Sequence, residues 1–265
     1  MKRMKSLSKR SMLGVLLLGL LGLTTNSHAA LQNLGNGLVN DDTLGITWMQ
    51  DANLVKTSCD ANNDLWQAFD PTAGPNSGRN KTQICTDNGD LTWNEAQTWI
   101  GVLNNFGGSG YLGHNDWRLP NTALPDPGCT GLLPGASTGY HCSGSELGSL
   151  FYTSLVNPND QDDNCFGAAP HCFQNTGPFS NAQPSPYWSN TDGPTPFFAY
   201  NFHAGTGNQV FGFKNHVASN FHLSVWPVRT GLSPIPPSQN VPTLSIWGLG
   251  LMSLLLAFVA RRRKV

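Results

Sequence analysis

Cys59, Cys85, Cys129, Cys142, Cys165 and Cys172 are the side chains with the most chemistry open to them, and an even set of thiols suits either disulfides or a metal–thiolate centre. No C-x-x-C pair occurs and no histidine stands at ligand spacing, so zinc is not expected. In an oxidising compartment the six read as disulfides. Sequential pairing, 59–85, 129–142 and 165–172, is the expected connectivity, because each pair then closes a loop rich in Gly, Pro, Asn or Asp. Oxygen ligands gather at two places. Asp60-x-Asn62-x-Asp64 alternates as in a calcium loop, although Leu65 and Pro71 stand where an EF-hand needs Gly and Glu. Asp160, Asp162 and Asp163, with Asn157 and Asn159, form the second. Calcium at one of them is the cofactor expectation, and solvated acidic loops are the alternative. His203, His216 and His222 could meet an aspartate near a sheet edge, but their spacing fits no metalloprotease or triad pattern. With no G-x-S-x-G elbow and no phosphate loop either, catalysis is not expected.

Short elements must position these residues. Thr92-Trp93-Asn94-Glu95 is a capping box, and Ala96, Trp99, Ile100 and Leu103 then repeat on one helical face until Gly107-Gly108. Ser143-Gly144-Ser145-Glu146 repeats the device ahead of Leu147, Leu150, Phe151 and Leu155. Strands are expected over 44–49, 187–191, 197–202, 209–213 and 223–229, each bounded by turn residues. Two helices followed by strands predict an α+β domain with disulfide-closed loops.

The two ends carry a different signal. Lys2, Arg3, Lys5, Lys9 and Arg10 precede the apolar run 12–23, and Ser27 and Ala29 suit a cut before Ala30. Residues 1–29 therefore read as a secretory signal, with the secretion machinery and signal peptidase as implied partners. At the other end residues 244–260 are uncharged, a helix length of about 26 Å that approaches the thickness of a bilayer core. Arg261, Arg262, Arg263 and Lys264 follow at once and would stay on the cytoplasmic side. Residues 231–240, with Pro234, Pro236 and Pro237, form an extended spacer. Without its two ends the chain keeps six basic against sixteen acidic side chains, a net charge near −10. Nucleic acid, bound through Lys and Arg, is excluded as a partner on that balance.

Two resemblances add to this reading. Pro242, Thr243, Leu244 and Ser245, followed by Trp247, the apolar stretch and the basic cluster, resemble the IPTL-CTERM sorting signal. That family is related to tails recognised by exosortase-type enzymes, which implies such an enzyme as a partner and a surface-bound or released product. Asp116-Trp117-Arg118-Leu119-Pro120 stands in order with the motifs around Trp93, Glu146, Tyr187-Trp188 and Trp226 to Arg229. Over residues 38–230 this order resembles the Lcl C-terminal domain family, named for a collagen-like bacterial adhesin. The resemblance implies a compact C-type-lectin-like fold with one small twisted, mostly antiparallel sheet and long disulfide-braced loops. Residues 121–142 and 160–172 are cysteine-bounded insertions relative to it. Asp116 and Arg118 are expected to form a structural ion pair or to cap loops, and Tyr187, Trp188 and Trp226 to be core aromatics, with a sugar-stacking platform as the alternative.

The domains expected are thus 1–29, 30–230, 231–240 and 241–265. The function expected is adhesion or recognition of extracellular carbohydrate or matrix at the cell surface. A structural envelope protein without a small ligand is the alternative, and a histidine-based enzyme comes behind it.

Overall fold

A computed structural model describes residues 31–74, 79–131, 136–165, 167, 171–214 and 221–235. The signal at 1–29, the sorting residues from Pro242 to Arg263 and His216 lie outside the described residues.

The strands are β1 (Leu31–Asn33), β2 (Leu38–Asp41), β3 (Ile46–Met49), β4 (Trp117–Arg118), β5 (Pro186–Asp192), β6 (Phe198–His203), β7 (Asn208–Phe213) and β8 (Val228–Thr230). They form two sheets where one was expected: a five-stranded sheet in the order β1-β2-β3-β8-β4 and a three-stranded sheet β5-β6-β7. Every pairing within them is antiparallel. The expected strand 223–229 is what divides them. Leu223 and Ser224 bridge to Leu91 and Tyr187, and only Val228–Thr230 enters the larger sheet. Pro227 between them has no N–H to donate, and its carbonyl accepts from Met49 instead.

Six α-helices occur among the described residues, where two helices were expected: α1 (Leu54–Ala61), α2 (Asp64–Ala68), α3 (Lys81–Thr86), α4 (Trp93–Asn105), α5 (Glu146–Ser149) and α6 (Asp160–Asp163). The additional ones begin at asparagines. Asn53, Asn63, Asn80 and Asn159 each accept a backbone N–H of the first turn. In α4 the Thr92–Glu95 box is formed as the sequence predicts. The box at α5 is not. Ser145 is the cap residue but makes no side-chain capping bond, and the helix runs on into a π-turn, Leu150–Ser154.

The core is aromatic. Trp226 packs edge-on against Trp48 and Phe179 at 5.4 and 4.8 Å between ring centroids, and against Tyr187 at 5.2 Å. Its indole N–H donates to the Met49 carbonyl, so one residue ties the segment before β8 to β3 and to β5. The disulfides join Cys59 to Cys85, Cys129 to Cys142 and Cys165 to Cys172, the sequential connectivity. The first fastens α1 to α3, and the others close the two insertions.

Past β8 the backbone is held once more. Ser233 N–H donates to Asn40 Oδ1 and Thr47 Oγ1, each at 3.0 Å, and the Ser233 carbonyl accepts from Asn40 Nδ2 at 2.9 Å. Thr47 also donates to the Gly231 carbonyl, and Arg229 to the Ser233 hydroxyl.

Candidate functional site

The motif residues around Trp117 serve the scaffold. Arg118 does not pair with Asp116. It forms a two-pronged bond with Glu146, 2.7 Å on each side, and donates to the Leu119 carbonyl. Glu146 also accepts from the Asn121 N–H, so the fork that leaves the α5 capping box unmade fixes the start of the 121–142 insertion. Asp116 pairs with Arg229 at 2.9 Å. Trp117 is buried and donates to the Tyr111 carbonyl. Tyr187, Trp188 and Trp226 are buried too and present no face to a sugar.

A charged hub lies beneath α3 and α4. Arg79 and Glu95 are both buried and joined by two bonds, Nε to Oε1 and Nη2 to Oε2. Arg79 also reaches Asp87 at 2.9 Å and the Asp90 carbonyl at 2.7 Å. Glu95 accepts from the Thr92 N–H, so the capping carboxylate and the ion-pair carboxylate are one group. His222 Nδ1 lies 2.8 Å from the Asp87 carboxylate, which can only accept, so the ring proton sits on Nδ1. Burial and the nearby Arg79 hold the His222 pKa below its ordinary value, although Asp87 pulls the other way. This hub holds one histidine of the expected trio in a structural bond, and His203 sits at the end of β6.

Asp90 gives the hub a pH signature. Burial, with the Asp87 charge adding to it, pushes its carboxyl up to about 6, against a hydrogen bond from Ser224 at 2.7 Å that favours the charged form. A folded value above the unfolded one means stability that is complete below about pH 4 and is lost as pH rises through about 6. Asp90→Asn should therefore gain on the order of 1–2 kcal/mol over the wild type above pH 7, allowing for the group's partial contact with water. Urea midpoints from pH 4 to 8 check it: the two proteins should converge toward pH 4, and parallel curves would refute the assignment.

Several oxygens of the expected calcium loops are engaged within the protein. Asp60 pairs with Lys56, Asn62 caps α1 in a left-handed conformation while accepting from Gln67, and Asp64 opens α2. In α6 Asp162 meets Asn159 and His141, at 2.8 and 3.0 Å, while Asp160 and Asp163 lie in the same short turn. Asn157 is turned away, clamping the backbone of Asn175.

The open end of β5-β6-β7 differs from all of these. Antiparallel register sets Phe198 opposite Phe213 and Tyr200 opposite Phe211. Their rings form a ladder, with centroids 4.3 Å apart for Phe198–Phe213, 5.4 Å for Phe198–Phe211 and 5.9 Å for Tyr200–Phe211. One end of this face is covered, since Phe202 packs on Phe151 and Gln209 is held by the Ser137 carbonyl. At the other end Phe213 is 46% exposed, and Phe197, in the turn ahead of β6 and opposite Lys214, is 74% exposed. On the reverse face Lys214 lies over the Trp93 ring at 4.2 Å and pairs with Asp192. Trp93 donates to the Ser189 carbonyl, and Gln97 of α4 donates to Asn190 of β5 at 3.1 Å. Gly212 fits there because a side chain would meet Phe221, which also packs on Trp188. Rings, two amides and a neutralised ion pair can bind; they offer no nucleophile or proton relay. Sequence reasoning missed Phe197, Phe213 and Lys214. The signal available was the alternation of Phe211 and Phe213 beside the Phe197-Phe198 pair.

Compared with known proteins, residues 239–264 match the IPTL-CTERM motif. No curated protein and no solved structure matches the chain. The C-terminus is thus a sorting tail, which speaks for an exported protein directed to the cell surface. The resemblance to the Lcl C-terminal domain gains no support from these comparisons, and neither does a C-type-lectin-like identity. What stands is a mixed helix-and-sheet fold with antiparallel sheets and three disulfides.

Proposed function

We propose that a chain ending in this sorting tail works at the cell surface as a recognition module, gripping extracellular carbohydrate or matrix material with the open end of β5-β6-β7. The observation that carries the reading is Phe197, a large aromatic side chain 74% exposed in the turn ahead of β6. An exposed aromatic ring beside polar groups suits a binding surface. In this reading residues 1–29 are removed on export, the 244–260 stretch holds the chain in the inner membrane, and an exosortase-type enzyme processes the tail. The domain acts by binding and not by catalysis, which is supported by all six thiols being in disulfides and by His222 being committed to Asp87.

The test is a panel of immobilised glycans and matrix proteins probed with the detergent-solubilised full chain. Binding should appear for at least one class and fall in Phe197→Ser. Silence across the panel would leave the structural envelope role in its place. A parallel run with calcium and with a chelator assigns the acidic loops: calcium-dependent binding would give Asp60, Asn62 and Asp64, or Asp160, Asp162 and Asp163, a ligand role.

A further inference from the structure

We infer that a thiol–disulfide oxidase of the export route is a partner of this chain, meeting it at Cys85, Cys129 and Cys165 and closing each disulfide separately, with no enzyme needed to reshuffle wrong pairs. This partner is met on the way out, whatever the mature domain binds. Six thiols can pair in many ways, and reshuffling is required where a chain passes through wrong pairs first. Here the right pairs are specified locally. For every one of the six, the nearest thiol along the chain is its native partner, at separations of 26, 13 and 7 residues. Shorter loops close at less cost in entropy.

Each pair also sits in a stretch knitted by its own contacts. Around Cys59–Cys85, Lys81 of α3 donates to the Trp66 and Gln67 carbonyls of α2, and Asn53 at the start of α1 donates to the Asn88 carbonyl. Around Cys129–Cys142 the backbone forms a small hairpin, Thr130 N–H to the Tyr140 carbonyl and Gly131 N–H to the Thr138 carbonyl. The Asp126 carboxylate closes its base by accepting from the Gly144 and Ser145 N–H groups. Around Cys165–Cys172 the Asn157 side chain accepts from the Asn175 N–H at 2.7 Å and donates to its carbonyl at 2.9 Å.

The three pairs are alike in exposure. Cys59, Cys142 and Cys172 are buried, whereas Cys85, Cys129 and Cys165 are half-buried. Once a stretch has formed, another protein reaches the half-buried sulfur, and the buried one is placed to finish the exchange. The Cys85 thiolate attacks the disulfide of the oxidase, and one oxidase sulfur leaves as thiolate. The Cys59 thiolate then attacks the Cys85 sulfur and expels the other. The two thiols give up their protons and an electron pair, and the oxidase disulfide becomes a dithiol; the other two pairs repeat the step. A chain sorted to the cell surface passes through the oxidising compartment where such enzymes work.

The test expresses the full chain in an export-competent bacterial host and in strains lacking either its thiol oxidase or its disulfide isomerase. Free thiols are counted by alkylation and mass spectrometry, and linked peptides are mapped. Loss of the isomerase should leave the chain without free thiols and with the native pairs. Loss of the oxidase should leave thiols free in most chains. In the parent strain Cys59→Ser, Cys142→Ser and Cys172→Ser should each accumulate a reductant-sensitive adduct with the oxidase, and Cys85→Ser, Cys129→Ser and Cys165→Ser should not. Adducts are read before folding is complete, so a variant that later misfolds still reports. Scrambled pairs without the isomerase would overturn the local specification. Complete oxidation without the oxidase would overturn the partner, and adducts formed equally in both sets of variants would overturn the three meeting points.

Discussion

Trp226→Ala should cost the domain about 4–6 kcal/mol, a fall in thermal midpoint of roughly 10–20 °C. The side chain is 2% exposed and contacts Trp48, Phe179 and Tyr187, so truncation opens a cavity that aromatic neighbours on two strands and a loop cannot collapse to fill. It also strips the Met49 carbonyl of its donor, an added cost of about 1–3 kcal/mol if no water reaches it. Trp226→Phe separates the two terms, because it keeps much of the volume and removes only the N–H. Its loss should be less than half that of the alanine variant. Equal losses in the two variants would mean that the hydrogen bond, and not the packing, joins the sheets.

Glu95→Ala should be nearly as damaging, about 3–5 kcal/mol, because it leaves the Arg79 guanidinium buried beside Asp87 alone. The same change removes one half of the α4 capping box by freeing the Thr92 N–H. Most of the cost is the stranded charge and not the worth of the pair, so Arg79→Met combined with Glu95→Leu should recover more than half of it. Chemical denaturation of the two single variants and the double variant forms a cycle. A double variant as unstable as the sum of the singles would show that Arg79 and Glu95 act independently.

These two residues also show what could be read in the sequence. The Thr92–Glu95 box was legible because both bonds close within four residues. That Glu95 also neutralises Arg79 was not, since nothing local distinguishes a capping glutamate from one that doubles as a counter-ion. The same blindness misplaced the second box, where Glu146 turns to Arg118 from 28 positions away. The disulfides followed the sequence because each closes a short loop, with separations of 26, 13 and 7 residues. Helices α1, α2, α3 and α6 carried asparagine caps but no long apolar repeat, and β1 and β2 depend on partners whose register the sequence does not state. The candidate site was the least legible part. Alternating aromatics in a strand fix which side chains share a face, but whether that face is covered depends on Phe151 and on the 121–142 insertion, both distant in the chain.

The clamp at Ser233 has a mechanical meaning for a chain whose last segment is a sorting tail. Tension entering from that end meets Ser233 first, where Asn40 and Thr47 grip the backbone, and passes into a strand flanked on both sides. Because β8 is laddered to β3 and to β4, a pull along it strains both sets of rungs together and cannot peel them one at a time. The tether therefore joins the fold at an interior strand, one place in from the β4 edge of the sheet.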